Sequence, residues 1–165
     1  MTDLKPSKSQ KKRMQTALQD LGEQLIGLSD EQLASLSLDE RLNYAIQEAR
    51  RMKSHEAKRR QKQYIGKLMR DVDQEPIHAL LSSLQGDDRR QKRIFANAER
   101  WRDRLVREGH DALQAFATES GQASAALASL LADLQRATSD RSETTIRRNI
   151  FRHVHDALVA ASRDG

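Results

Sequence analysis

The sequence predicts an all-α protein, and three observations predict it. Only seven glycines and two prolines interrupt its 165 residues. β-branched residues are scarce in the long segments, and apolar residues recur at helical spacing rather than alternating. The fold expected is two small helical units joined by a long basic helix. Apolar residues make up 37% and charged residues 32%, so Leu, Ala and Ile must build most of the core. With no cysteine, disulfides, cysteine–zinc sites, iron–sulfur clusters and thiol catalysis are excluded.

The first helix is expected over residues 9–28, with Met14, Ala17, Leu18, Leu21, Leu25 and Leu28 on one apolar face. Lys11, Lys12 and Arg13 crowd its positive dipole end; they either serve an anionic partner or form a solvated, frayed turn. Ser29-Asp30 caps a short turn that buries Leu33 and Leu36. Ser37 and Glu40 have capping-box spacing, and from there one helix is expected to run over about 39–70. It would be roughly 45–50 Å long, more than a domain of this size is wide.

That helix carries the strongest signal. Nine of the 22 residues from Ala49 to Arg70 are Lys or Arg, against Glu56 alone. Leu42, Ala45, Ile46, Ala49 and Met52 share a face, and Tyr64 and Leu68 return to it. Between Met52 and Tyr64 the apolar seam is broken, so this part should stand clear of the core. Arg51, Lys58 and Lys62 fall within about 40° of one another at roughly 100° per residue, a basic stripe opposite the seam with Arg59 beside it. Gly66 allows a close contact or a bend.

Asp73 is expected to cap the next helix, with Pro76 in its first turn and Ile77, Leu80, Leu81 and Leu84 buried, ending at Gly86. Another follows over about 88–108, with Ile94, Phe95, Ala98, Trp101, Leu105 and Val106 inward and Gly109 at its end. A short helix over 111–116 buries Ala112, Leu113 and Phe116. Residues 122–137 form a Leu- and Ala-rich helix, 138–142 a linker. The last helix, from near Ser142, buries Ile146, Ile150, Phe151, Val154 and Leu158.

Net charge is only +5, but the charges are segregated. Residues 5–13 hold five basic and no acidic residues, 14–49 hold seven acids against Arg41, and Arg89–Arg107 hold eight basics against Glu99 and Asp103. Such blocks create local positive fields of the kind polyanions, RNA above all, bind. With Tyr44 and Tyr64 both on apolar faces and Trp101 in the core, backbone and shape recognition is expected rather than base reading. His153 and His155 point about 160° apart on a helix, so they cannot share a metal; His55, His78 and His110 have no sequence partners. No Gly-rich phosphate loop or nucleophile motif occurs.

The stretches Arg51-Met52-Lys53, Glu56-Ala57-Lys58-Arg59-Arg60-Gln61 and Gln63-Tyr64-Ile65-Gly66-Lys67-Leu68-Met69-Arg70 resemble the signature of the DarP (YjgA) family of bacterial ribosome-associated proteins. Ser7-Lys8-Ser9-Gln10-Lys11-Lys12, Trp101-Arg102-Asp103-Arg104-Leu105 with Gly109, and Arg148-Asn149-Ile150-Phe151 agree with it. The resemblance implies a non-enzymatic factor that binds ribosomal RNA in late large-subunit precursors and helps the peptidyl-transferase region mature. Ala128 and Ala132 stand where the family usually carries basic residues, so the helix around them is not among the expected contacts.

The resulting expectation is an N-terminal unit over 1–60 with the connecting helix, and a C-terminal bundle over 61–165. RNA contacts are assigned to Lys11, Lys12, Arg13, Arg51, Lys53, Lys58, Arg59, Arg60, Lys62, Lys67, Arg70, Arg89, Arg90, Lys92 and Arg93. Partners are the large-subunit precursor and its ribosomal RNA, with no metal, cofactor, small-molecule substrate or membrane. The N-terminus lacks an apolar signal core and no run approaches a membrane span, so a cytoplasmic monomer is expected. A helical adaptor for an acidic protein and a non-specific DNA binder are the alternatives.

Overall fold

The computed structural model describes residues 5–164; Met1 to Leu4, the start of the stretch read above for a signal core, and Gly165 lie outside them. Among the described residues there are eight α-helices and no strand: α1 (Lys8–Ile26), α2 (Asp30–Ser35), α3 (Glu40–Arg51), α4 (His55–Leu68), α5 (Glu75–Glu108), α6 (His110–Ser120), α7 (Ala125–Arg136) and α8 (Asp140–Ala161), with one 3₁₀ turn, Met69–Asp71. The all-α expectation holds. The chain divides into two compact units, Met1–Ser82 and Ser83–Gly165. The division falls inside α5, where the sequence reading set it after residue 60.

The single helix expected over 39–70 is two helices. Met52 leaves the helical region at φ −69°, ψ 133°, and Ser54 starts α4 afresh by accepting the Ala57 N–H. The Ser37–Glu40 capping box does not form either. Ser37 sits at φ +48° at the end of α2, and Asp39 caps α3 instead, accepting the Arg41 N–H at 2.9 Å. The predicted caps Ser29 and Asp73 do form, Ser29 in a capping box with Gln32 and Asp73 by accepting the Glu75 N–H; Ser7, which the sequence did not single out as a cap, makes a further capping box with Gln10 and starts α1 at Lys8.

In the first unit α4 packs against α1 and α3: its second half enters the core with Ile65 and Gly66 buried, while residues 53–60, Ala57 apart, are exposed as the broken apolar seam predicts. Gln15 meets Arg70, Gln19 meets Gly66, Gly22 meets Ile65, and Glu23 meets Lys62, so α1 and α4 are antiparallel. Their closest approach depends on two glycines. A Cβ on Gly22 would stand 2.6 Å from Ile65 Cγ2, and one on Gly66 2.7 Å from Gln19 Cγ. α3 folds back on α4, where Gln61 Nε2 donates to the Ala45 carbonyl at 2.9 Å. Polar side chains satisfied by the neighbouring helix thus replace the missing apolar seam. Leu21, Leu25, Leu28, Leu33, Leu42, Ile46, Ile65, Met69 and Ile77 are buried, whereas Met14 is 61% exposed because it precedes the part of α1 that α3 and α4 cover.

The long helix of the protein is α5, 34 residues and about 51 Å at 1.5 Å per residue. Gly86 does not end it. Its φ is not positive, and Asp87 and Asp88 pair with Arg90 and Lys92 one turn on, at 3.4 and 2.7 Å. Residues 85–93 are exposed on every side. The second unit closes a core of Ala98, Trp101, Leu105, Ala112, Phe116, Leu127, Ile150 and Val154, with Trp101 edge-on to Phe116 at 5.2 Å. Gly109 at φ +62° and Gly121 at φ +69° make the turns after α5 and α6. α8 begins at Asp140, capped by Ser139.

The two kinds of glycine are expected to respond oppositely to alanine. Gly22→Ala should destabilise the first unit by about 1–3 kcal/mol, because the branched and buried Ile65 cannot move aside. Gly86→Ala, with no atom within 4 Å of an added Cβ, should raise stability by about 0.5–1 kcal/mol. Urea unfolding followed by circular dichroism checks both.

Candidate nucleic-acid interface

α4 begins favourably for a helix so rich in cations. Glu56 sits in its first turn, where the dipole attracts a carboxylate, and pairs with Arg60 at 2.5 Å. Its inner side carries Gln61, Ile65 and Met69. The predicted stripe of Arg51, Lys58 and Lys62 is not what the fold presents. The break at Met52–Ser54 separates Arg51 from the phase of α4, and Lys62 turns inward, 35% exposed, to bond Glu23 of α1. The outer side of α4 instead aligns Arg59, Arg60 and Lys67 within about 100° on the wheel, all exposed, and the exposed Arg70 follows in the 3₁₀ turn.

The antiparallel register then adds residues distant in sequence. Because Gln15 meets Arg70 at 3.0 Å, the exposed Lys11, Lys12 and Arg13 project from the same end of the bundle as Lys67 and Arg70. At the other end Arg51, Lys53 and Lys58 surround the α3–α4 turn, all exposed; Arg51 pairs with Glu48 at 3.1 Å. Among the described residues no carboxylate pairs with Lys53, Lys58, Arg59 or Lys67. Exposed pairs such as Arg60–Glu56 are worth little and yield readily to a phosphate. Arg89, Arg90, Lys92 and Arg93 lie on α5 in the second unit, exposed all round the helix.

One cation of the basic run is structural. Arg50, 24% exposed, donates from Nε to the Ile26 carbonyl at 3.0 Å, from Nη2 to the Leu28 carbonyl, and from Nη1 to Asp30 at 2.7 Å. α1 has no basic residue in its last turn; Arg50 reaches across from α3 to satisfy its C-terminal carbonyls. The hydrogen bond and charge of Arg50, helped by Gln47, hold the Asp30 carboxyl below the usual carboxylate range. Arg104 and Arg107 do the same for Glu108 in the second unit.

The aromatic residues depart from expectation. Trp101 is in the core, but Tyr44 is 66%, Tyr64 38% and Phe95 50% exposed. Phe95 precedes the first fully covered turn of α5 in the second unit and meets Phe151 at a steep interplanar angle, ring centroids 5.0 Å apart. The periodicity of the sequence places Phe95 and Phe151 inward, although the adjacent Arg147-Arg148 pair on α8 is a signal of an exposed edge. Among the described residues no group of three His, Asp or Glu side chains could hold a metal, and no helix is long and apolar enough to cross a membrane.

Residues 4–155 match the family described as dual-action ribosomal maturation protein DarP. The chain belongs to this family. It is 38% identical over 156 residues to the protein of that name from Thiobacillus denitrificans, covering 94% of this chain and 88% of that one. With the Idiomarina loihiensis DarP it shares 40% over 154 residues, 92% of this chain and 90% of the relative. With that of Aromatoleum aromaticum it shares 58% over 83 residues, 50% and 44% of the two chains. In this DarP family member, α4, the α1 basic turn and the α3–α4 turn make up the candidate interface of the first unit.

Arg50→Gln is expected to lower the stability of the first unit by about 2–3 kcal/mol, through carbonyls left without a charged donor. The carboxyls of Asp30 and Glu108 have folded pKa values below their unfolded ones. Their contribution is therefore complete above the ordinary carboxylate range and is lost as pH falls through the depressed folded values. In Arg50→Gln the share of acid destabilisation due to Asp30 should shrink to the part that the Gln47 hydrogen bond sustains; thermal melts between pH 2 and pH 7 read this as a shallower acid limb.

Proposed function

We propose that this protein is a non-enzymatic ribosome maturation factor that binds ribosomal RNA of the large-subunit precursor. The observation that carries this is the surface just described. Arg59, Arg60 and Lys67 line the outer side of α4 without apolar residues among them, Arg70 continues the surface in the 3₁₀ turn, and Lys11, Lys12 and Arg13 extend it from α1. Membership in a family of ribosomal maturation proteins supports the ribosome as the source of the polyanion.

Phosphate neutralisation by such a surface is salt-sensitive and largely independent of sequence. A rigid helical face suits the wide, shallow minor groove or the phosphate rails of an RNA helix. Lys53 and Lys58 at the α3–α4 turn provide a second grip along the same helix. In this reading the protein works as a bound wedge or clamp while the peptidyl-transferase region reaches its mature form, in the cytoplasm where subunits assemble, and catalyses no covalent step.

Lysate sedimented through a sucrose gradient at low magnesium should place the protein in large-subunit and pre-large-subunit fractions. Confinement to the top of the gradient would sink the reading. Replacing Arg59, Arg60, Lys67 and Arg70 together by Gln should leave circular dichroism unchanged. It should also lower affinity for ribosomal RNA and reduce the slope of log affinity against log salt by about 3–4, at roughly one unit per lost phosphate contact.

A further inference from the structure

We propose that the second unit carries a stacking site for an unpaired RNA base, with Phe95 as its platform; this rests on the reading of the protein as an RNA binder. Phe95 on α5 meets Phe151 on α8 edge to face, ring centroids 5.0 Å apart at 62°. Phe151 in turn stacks on His155 at 5.8 Å and lies under the Arg102 guanidinium at 5.8 Å. Phe151 is thus held on several sides, while half of Phe95 faces water. The chain spends a large aromatic residue at a position that the core does not cover.

Phe95 stands between two open grooves and lines both. One, of about 530 Å³, continues to Arg90, Lys92 and Arg163; the other, of about 450 Å³, to Arg102, Arg147 and Arg148. These six cations face three carboxylates in the grooves, Asp88, Glu99 and Asp103. Lys92 already engages Asp88 at 2.7 Å and Arg102 engages Asp103 at 2.9 Å, and Arg90 is paired with Asp87 outside them.

An apolar ring flanked on both sides by surplus positive charge matches a flat base between two phosphates. An acidic peptide would use the cations but not the exposed ring face. A base inside an RNA helix cannot stack on the ring, because neighbouring base pairs cover both of its faces and only its edges reach the grooves. The ligand is therefore a bulged, looped or terminal nucleotide, and stacking makes its identity of little consequence.

The test uses the full-length protein and two matched RNA hairpins, one fully paired and one with a single bulged 2-aminopurine. Wild type should bind the bulged hairpin about 5- to 100-fold more tightly, as one stacked base implies, with a change in 2-aminopurine fluorescence. Phe95→Leu should keep its thermal melt and its affinity for the paired hairpin but lose both the preference and the fluorescence change, and Phe95→Tyr should retain them. Arg147 and Arg148 replaced by Gln should reduce the preference as an independent check.

Equal binding of the two hairpins by wild type, or an undiminished preference in Phe95→Leu, overturns the proposal. If the α4 variant is still weakened for both hairpins, the RNA reading stands without it. Absence of salt-dependent binding to either hairpin overturns both. Self-association lost in Phe95→Leu, with RNA binding unchanged, assigns the grooves to a second copy of the chain and also overturns the proposal.

Discussion

The first unit depends on the close contact between α1 and α4. Two glycines, Gly22 and Gly66, remove the side chains that would hold these helices apart, and Ile65 and Gln19 occupy the space. At such a distance backbones meet almost directly, so the packing tolerates little shift in register. That register determines what the rest of α4 can do. It sets Lys62 against Glu23 and Arg70 against Gln15, and so decides which cations are drawn into the bundle and which are left outside.

A helix as polar as α4 needs a reason to pack at all. Gln61 supplies one by donating to the Ala45 carbonyl, and Lys62 another by bonding Glu23. Arg50 performs the corresponding task about one turn further along α1, closing its C-terminus from α3. These are few and specific interactions in place of a continuous apolar seam. They let one helix contribute to a core on one side while carrying Arg59, Arg60 and Lys67 on the other, with Arg70 following in the 3₁₀ turn.

The second unit is built more conventionally, around Trp101, Phe116 and the Leu and Ile residues that enclose them. Its departure from convention is at one edge, where Phe95 and Phe151 are framed by arginines rather than covered. The two units thus offer different recognition chemistry. The first presents mainly charge on the outer side of α4, suited to phosphates. The second combines charge with an aromatic surface, suited to a base as well. A family named for ribosomal maturation is one in which both kinds of RNA feature, helix and unpaired nucleotide, would be met.

Much of this was legible from residues 1–165 alone. Helical class, most helix starts, many of the Leu and Ile core positions (though not Ile65) and the cation-rich run follow from local rules: 3.6-residue periodicity, Ser and Asp capping, and charge counted along the chain. What those rules could not supply was anything set by a neighbouring helix. The break at Met52–Ser54 follows no Pro or Gly and is stabilised by α3 folding back on α4; Gly86 passes for a stop signal until its helical conformation is known. A stripe of Arg51, Lys58 and Lys62 requires one continuous, isolated helix, and the break at Met52 and the pairing of Lys62 with Glu23 of α1 remove both conditions. By itself, then, the sequence determined that this is a helical protein with a surplus of cations in defined segments, because propensity and charge are properties of the chain. Only the tertiary structure decided which of those cations face outward and that an aromatic edge lies among others, because exposure is a property of what packs beside a residue.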